Sequence, residues 1–112
     1  IESLLAAANL RHHFEVIVAS GHTERSKPAP DPYLRAIDLV RARAEATGRR
    51  LHGTFVAIED SRWGIESAVA AGLRCIGGAQ TYPVDQLDTA HLVVPTIADV
   101  TIARLHEVCL SV

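Results

Sequence analysis

Residues 55–61 read Phe55-Val56-Ala57-Ile58-Glu59-Asp60-Ser61, an apolar run that ends abruptly in two adjacent acids. A short apolar run with β-branched and aromatic residues is typical of a strand that is buried on both faces of a parallel sheet. Two carboxylates are costly to bury unless a positive group meets them. Because ligands of open α/β sheets bind at the carboxyl ends of the strands, the stretch predicts a cation site there. Mg²⁺ is the natural candidate, since carboxylate and phosphate oxygens bind it.

A second interpretation of Glu59 and Asp60 stays open at this point. Acids placed just before a helix interact favourably with its macrodipole and can cap its first turn. A short helix is predicted to follow, because Ile65, Ala68 and Val69 share one face and Gly72 ends the pattern. The two acids therefore fit either a metal site or a helix cap.

Length and composition describe a single globular domain. The 112 residues are 48% hydrophobic and 21% charged, and the formal net charge is -2. Without a basic field we expect no nucleic-acid partner. No apolar run approaches the about 18 residues of a membrane span, so we expect no membrane partner. Cys75 and Cys109 lie far apart in apolar surroundings, which favours reduced thiols and a cytoplasmic location.

Predicted helices and strands alternate along the chain. The predicted strands are Phe14–Ala19, Thr54–Ile58, Leu73–Ile76 (ended by Gly77 and Gly78) and His91–Val94. The first two predicted helices are residues 2–10 and a long helix from the cap Asp31-Pro32 to about Gly48. The short helix described above is the third. The fourth is a C-terminal helix with the apolar stripe Leu105, Val108, Cys109 and Val112, and the capping pair Thr96 and Asp99 precedes it. None of the connections is a tight hairpin. The pattern therefore predicts an α/β fold, a Rossmann-like three-layer sandwich with a parallel sheet.

A proline-rich loop supplies the second informative stretch, Ser26-Lys27-Pro28-Ala29-Pro30-Asp31-Pro32. The prolines fix φ and stiffen the loop, so less entropy is lost when Lys27 is held in place. An ammonium held in this way suits a contact to a phosphoryl oxygen or a carboxylate. Phosphoryl transfer needs such a positive charge together with acids that anchor a metal. Lys27, Glu59 and Asp60 are therefore the candidate site residues.

In their order and spacing these residues resemble motifs III and IV of the haloacid dehalogenase-like hydrolases, in the branch of β-phosphoglucomutase and phosphoglycolate phosphatase-like enzymes. The resemblance rests on Lys27-Pro28-Ala29-Pro30-Asp31, on Val56–Ser61, on Gly64 and on Ala71-Gly72. It implies that Lys27 contacts the phosphoryl group and that Asp60 ligates Mg²⁺ directly. It also implies that Glu59 binds the ion or its waters and pairs with Lys27, and that Gly64 lets the helix pack close under the site. The substrate would be a small phosphorylated metabolite.

Three parts of the family pattern are absent from the sequence. No Asp-x-Asp occurs, so the nucleophile is missing, and the motif II Ser or Thr and the cap domain are missing as well. Residues 1–112 are therefore expected to be a partial core domain, the motif III and motif IV portion, from the C-terminal part of a longer enzyme. The resemblance places the missing strands between Phe14–Val18 and Thr54–Ile58. We expect a complementing N-terminal segment or a second copy of the chain to fill that gap, unless the two flanks pair directly.

Three functional hypotheses follow. The first is a C-terminal fragment of a Mg²⁺-dependent phosphatase, or less readily a phosphomutase, that acts through an aspartyl-phosphate and is inactive as this chain alone. The second is a catalytically inactive, truncated relative that serves as a binding or assembly module. The third is another α/β fold such as a receiver-like domain, but there the lysine follows a later strand, whereas Lys27 precedes the acidic strand.

Overall fold

Helices and strands follow one another in the computed structural model, which describes residues 2–13, 15–19, 21–51 and 54–110. The helices are α1 (Glu2–Ala7), α2 (Asp31–Ala46), α3 (Arg62–Ala70) and α4 (Ile102–Leu110). The strands are β1 (Val56–Glu59), β2 (Arg74–Gly78) and β3 (Leu92–Val94). Short 3₁₀ helices span Arg11–His13, Val84–Gln86 and Ile97–Asp99. Among these described helices, none could span a lipid bilayer.

The three strands form one parallel sheet in the order β1-β2-β3. Glu59 at the end of β1 lies opposite Gly77 of β2, and Gly77 lies opposite Val93 of β3. All three strands therefore end at the same edge. The predicted α/β fold with a parallel sheet is confirmed.

Alternating side chains of the strands build a core on each face of the sheet. On one face Ala57 and Cys75 pack with Ile65 and Ala68 of α3, and α2 adds partly buried side chains to this cluster. On the other face, Ile76 and Val94 pack with Val108 of α4. The sheet is thus the middle of three layers, with α2 and α3 on one side and α4 on the other.

The prediction that Gly77 and Gly78 end the second strand of this sheet is wrong, because both lie within β2. A Cβ built on Gly77 would lie 3.2 Å from Ile65 Cδ1, and one built on Gly78 would lie 2.9 Å from Ile97 Cγ1. The two glycines are therefore explained by close packing of neighbouring elements against the strand, which a local rule for strand ends does not consider.

The predicted strand Phe14–Ala19 is not a strand over the described residues 15–19, and Phe14 lies outside them. Residues 16–19 are half-buried and carry no regular secondary structure. They lead into a turn in which the His22 N–H donates to the Ala19 carbonyl at 3.0 Å. A strand exists only by pairing with a neighbour, and none of the three described strands runs beside this segment.

Helix ends follow local rules, with small shifts. Helix α1 stops two residues before Asn9, which has φ 58° and places its N–H on the Ala6 carbonyl, a common C-terminal motif. Helix α2 has Pro30 as its N-cap, so Asp31 is its first residue rather than the predicted cap.

The predicted capping pair Thr96 and Asp99 is present as a reciprocal capping box. On α4, Val108 is buried as predicted, and Val112 lies outside the described residues.

Candidate active site at the carboxyl edge of the sheet

A capped turn leads from the end of β1 directly into α3. Glu59 is the last residue of β1, and Ser61 is the N-cap of α3. The Ser61 Oγ accepts a hydrogen bond from the Gly64 N–H at 3.1 Å, which is the usual way in which a serine satisfies an unpaired N–H of the first turn. Because Ser61 caps the helix, the carboxylates of Glu59 and Asp60 are left for other partners.

Lys27 reaches the end of β1 from the loop that precedes α2. Its Nζ donates to Glu59 Oε1 at 2.5 Å, and the side chains of Lys27 and Glu59 are 42% and 10% exposed. The loop is folded back by a turn in which the Ala29 N–H donates to the Ser26 carbonyl at 3.0 Å. An ammonium beside a nearly buried carboxylate balances a charge whose burial would otherwise be penalised. The structure thus joins two of the three predicted site residues.

Tyr33, in the first turns of α2, completes this cluster and was not predicted from the sequence. Its hydroxyl donates to the same Glu59 oxygen, Oε1, at 2.5 Å, and its ring centroid lies 5.2 Å from Lys27 Nζ. Burial, and next the hydrogen bond to Glu59, raise the pKa of the Tyr33 phenol well above its usual range. The phenol therefore stays protonated and keeps its donor role. The available signal was an aromatic residue with a polar end, one helical turn after a proline-rich loop.

Gly64 provides the space that the Glu59 carboxylate occupies. A Cβ built on Gly64 would overlap the carboxylate carbon and oxygens of Glu59. Since Glu59 is only 8% exposed, its carboxylate has little room to move aside. The close packing of the helix under the site, which the resemblance implied for Gly64, is what the structure contains.

Asp60 lies at the same edge but has a different partner. It is half-buried, and its Oδ2 accepts a hydrogen bond from Thr81 Oγ1 at 3.2 Å. Thr81 follows the end of β2 and was not singled out from the sequence. Within the described residues no hydrogen bond or ion pair joins Asp60 to Lys27, so the two acids play different local roles.

The chemistry of these donors fits a Mg²⁺ ion that takes further ligands from elsewhere. Mg²⁺ is commonly held by one or two carboxylates together with waters and phosphate oxygens. Asp60 is half-buried, and both hydrogen bonds to Glu59 fall on Oε1, so Oε2 takes neither of them. In the described part of the chain, no group of three or more His, Cys, Asp or Glu side chains could hold a metal ion. Glu59 and Asp60 therefore form at most a partial site.

Cys75 lies beneath the site in β2 and is a poor nucleophile there. Its side chain is fully buried. Burial, and next the negative charge of Glu59, raise the pKa of the Cys75 thiol to about 12. Because the thiolate rather than the thiol is the reactive form, Cys75 is inert at neutral pH.

Comparison with known proteins connects this geometry to one family. The model of the family described as haloacid dehalogenase-like hydrolase matches residues 1–77, a range that contains Lys27, Glu59 and Asp60.

Individual relatives agree with that match. The chain is 35% identical over 75 residues to the fructose-1-phosphate phosphatase YqaB of Escherichia coli (strain K12), which covers 67% of the chain and 36% of the relative. It is 34% identical over 103 residues to the plasmid protein CbbY of Cupriavidus necator, which covers 88% and 37%. The crystal structure of CbbY from Rhodobacter sphaeroides in complex with phosphate aligns with a TM-score of 0.68 at 31% identity, covering 87% and 40%. The chain thus spans less than half the length of each of these proteins.

Proposed function

This chain belongs to the haloacid dehalogenase-like hydrolases, and on that basis we propose that it forms the lysine and acidic part of a Mg²⁺-dependent phosphatase site for a small phosphorylated metabolite. One observation carries the proposal: the Lys27 ammonium lies 2.5 Å from the Glu59 carboxylate. Glu59 is the last residue of β1, and Asp60 follows it in the sequence. The relatives support hydrolysis rather than mutase chemistry, because one of them is named as a phosphatase of fructose-1-phosphate. The free thiols of Cys75 and Cys109 fit a reducing compartment, so we propose the cytoplasm as its location.

In this proposal each side chain has a separate task. Lys27, which is 42% exposed, turns its ammonium toward a phosphoryl oxygen and offsets part of its negative charge. Glu59 holds the ammonium in place before substrate arrives. Asp60, together with Glu59 directly or through a bound water, would hold Mg²⁺, which when bound supplies positive charge at the transferring phosphoryl group.

The nucleophile of the proposed reaction has to come from outside these 112 residues. The sequence contains no Asp-x-Asp, and the Cys75 thiol remains protonated at neutral pH. The family resemblance implies that this nucleophile is an aspartate, which forms an aspartyl-phosphate. We therefore assign this chain the positive charge and the metal ligands of the site, and not the covalent step.

A segment that carries this aspartate would add to the sheet beside β1. In the described residues β1 pairs only with β2, and Ile58 of β1 is 40% exposed. Next to β1, a groove of about 160 Å³ is lined almost entirely by apolar side chains of α2, β1 and the two segments that precede the strands: Tyr33, Ala36, Ile37, Val40, Phe55, Val56 and Leu73. An unpaired strand with an apolar groove beside it is suited to receiving another strand. We favour a complementing N-terminal segment over a second copy of the chain, because the aligned residues cover only 36% and 37% of these two relatives.

The test is complementation. The purified chain is mixed with the part of the Cupriavidus necator relative that it does not span, and phosphate release from a panel of small phosphate esters is measured with Mg²⁺ and with a chelator. We expect release from the mixture with Mg²⁺ only, and none from the chain alone. Metal-dependent turnover by the chain alone would contradict the proposal. Stable association without turnover of any ester would favour the inactive assembly module instead.

Variants then connect the activity to the named side chains. Asp60→Asn should abolish release, and Lys27→Ala should lower it about a hundredfold or more, as expected for the loss of one preorganised charge. Arg104→Ala serves as the control, because it removes a charge from α4, on the other face of the sheet. Near-normal rates in Asp60→Asn would remove the metal role of that residue.

A further inference from the structure

A fully buried serine on α3 is bonded to the loop that carries Lys27. Ser67 has no exposed surface, and its Oγ donates to the Ala29 carbonyl at 2.6 Å. A hydroxyl buried without a partner would cost free energy, so this hydrogen bond is what makes a serine tolerable at a core position. The two residues are 38 positions apart in sequence. The bond therefore fixes the loop to a distant element of the fold.

The position of this bond relates it to the candidate site. Ser67 lies three residues after Gly64, so both occupy the same face of α3, one turn apart. Ala29 lies two residues after Lys27. The unit formed by β1 and α3 therefore holds the loop at two levels, through Glu59 and Lys27 at the sheet edge and through Ser67 and Ala29 one turn below.

The two attachments differ in what they depend on. The ion pair joins Lys27 to a carboxylate, and in the proposed reaction the ammonium turns from Glu59 toward a phosphoryl oxygen. The bond between Ser67 and Ala29 involves a hydroxyl and a backbone carbonyl, so it involves neither of these charged groups. It can persist while Lys27 changes its partner, and because the Ser67 donor is fully buried, water can approach the bond only from the half-buried Ala29 side.

We propose that Ser67 is a positioning residue that keeps the lysine loop in register with β1 and α3, so that the Lys27 ammonium stays within reach of both Glu59 and the phosphoryl position. This inference rests on the proposed function for the meaning of that position. The contact itself is independent of any activity. A purely structural serine would stabilise the whole domain without changing the environment of Lys27.

The amino-acid composition offers a direct probe, because Lys27 is the only lysine among the 112 residues. A mild amine-acylating reagent then reacts with Lys27 and with the terminal amine alone, and digestion after arginine places Lys27 in the peptide of residues 26–35. An ammonium held in an ion pair reacts slowly, so the acylation rate of Lys27 reports how firmly the loop is placed. The unfolded chain in urea gives the reference rate.

We expect Ser67→Ala to raise the Lys27 acylation rate about threefold or more, as follows from the loss of one hydrogen bond made by a buried donor. Val108→Ala is the matched control: it removes buried apolar volume from α4 on the opposite face, and should leave the rate unchanged while the chain is folded. Ser67→Cys, which nearly preserves the volume and weakens the donor, should also raise the rate, and it replaces Ser67→Ala if that variant does not fold.

Three results would overturn the proposal: equal rates in wild type and the Ser67 variants, an equal rise in Val108→Ala, or a wild-type rate equal to that of the unfolded reference. None of these results depends on turnover. If complementation yields no phosphatase but Ser67→Ala alone frees Lys27, the positioning contact stands and the proposed function fails. If complementation succeeds and Ser67→Ala leaves Lys27 unchanged, the positioning role fails and the proposed function stands.

Discussion

Glu59 Oε1 accepts two hydrogen bonds, one from the Lys27 ammonium and one from the Tyr33 hydroxyl, each at 2.5 Å. Hydrogen bonds to a charged group contribute about 1.5–3 kcal/mol, roughly twice the contribution of neutral ones. Both donors lie on one oxygen, so the carboxylate is held at one side and its other oxygen takes neither bond. The carboxylate is therefore fixed in one orientation, with its second oxygen beside Gly64 of α3.

Tyr33→Phe separates the hydroxyl from the ring, since it removes the donor to Glu59 and leaves an aromatic ring near Lys27. We expect the free energy of unfolding at neutral pH to fall by about 1.5–3 kcal/mol, because a nearly buried carboxylate loses a donor. Urea denaturation measures the change. Tyr82→Phe is the control, because Tyr82 packs against the same core cluster and, among the described residues, the hydrogen bonds to Glu59 come from Lys27 and Tyr33. Equal losses in the two variants would show that the hydroxyl of Tyr33 contributes nothing specific.

Cys75 makes stability depend on pH in the alkaline range. The folded chain raises the thiol pKa from 9.0 to about 12, so above pH 9 the unfolded chain loses a proton that the folded chain keeps. Stability is therefore fully present below pH 9 and declines as the pH rises toward 12, by up to about 1.4 kcal/mol per pH unit. Urea denaturation between pH 8 and 10.5 should show a flatter decline for Cys75→Ala than for wild type. Parallel curves would mean that the thiol titrates normally in the folded chain.

At the scale of elements, α3 is shaped for close approach along one face. Ser61 caps it, Gly64 leaves room for Glu59, and Ser67 reaches Ala29. Small residues at these positions allow both the acidic strand end and the lysine loop to lie against the helix. Helix α3 therefore contacts both the acidic end of β1 and the lysine loop. Ile65 and Ala68 of the helix pack in the core and hold it against the sheet.

Gly64→Ala tests this support. In most helices replacing glycine with alanine stabilises by about 1 kcal/mol, because alanine has the higher helix propensity. Here the added Cβ would overlap the Glu59 carboxylate, so we expect a loss of about 1–3 kcal/mol in the free energy of unfolding. Glu66→Ala, on the solvent side of the same helix, should change it by less than about 1 kcal/mol. A gain in stability for Gly64→Ala would mean that Glu59 moves aside freely.

At the scale of the whole molecule, one edge of the sheet, at β1, has no neighbouring strand among the described residues. In the described residues β2 is paired on both sides, whereas β1 is paired only with β2 and leaves Ile58 40% exposed. The two flanks of the expected gap do not pair with each other, because residues 15–19 form no strand. A sheet with one apolar edge open buries less surface for the same loss of backbone entropy.

Amide hydrogen exchange should show this asymmetry. Amides of Val56–Glu59 that point away from β2 should exchange rapidly, and those of Arg74–Gly78 should be protected, since β2 lies between two strands. Adding the part of a relative that this chain does not span should slow the exchange of the amides of Val56–Glu59 and leave exchange in β2 nearly unchanged. Strong protection of β1 in the chain alone, at a concentration where it is monomeric, would contradict the open edge.

Much of the architecture could be predicted from the sequence. The wrong predictions, and the site residues that were not predicted, have physical causes. The parallel α/β arrangement, the capping box of Thr96 and Asp99 and the burial of Ile65 and Ala68 on α3 follow from local patterns, which neighbouring residues determine. Val69, which was predicted for the same face, is 40% exposed. The strand predicted at Phe14–Ala19 is not formed over the described residues 15–19, and the predicted break at Gly77-Gly78 is wrong, because pairing and packing depend on distant elements. Among the site residues, Tyr33, Ser67 and Thr81 carried no motif and were found only through their contacts.

By itself the sequence determined the alternation of elements, the family and the three polar residues at issue, Lys27, Glu59 and Asp60, since periodicity, caps and motif spacing are properties of adjacent residues. Only the tertiary structure decided which of these residues meet: Lys27 pairs with Glu59, whereas Asp60 bonds to Thr81. It also decided that β1 is left unpaired at one side among the described strands. The reason is that hydrogen bonds and ion pairs act over about 3–4 Å, a range that sequence separation does not encode.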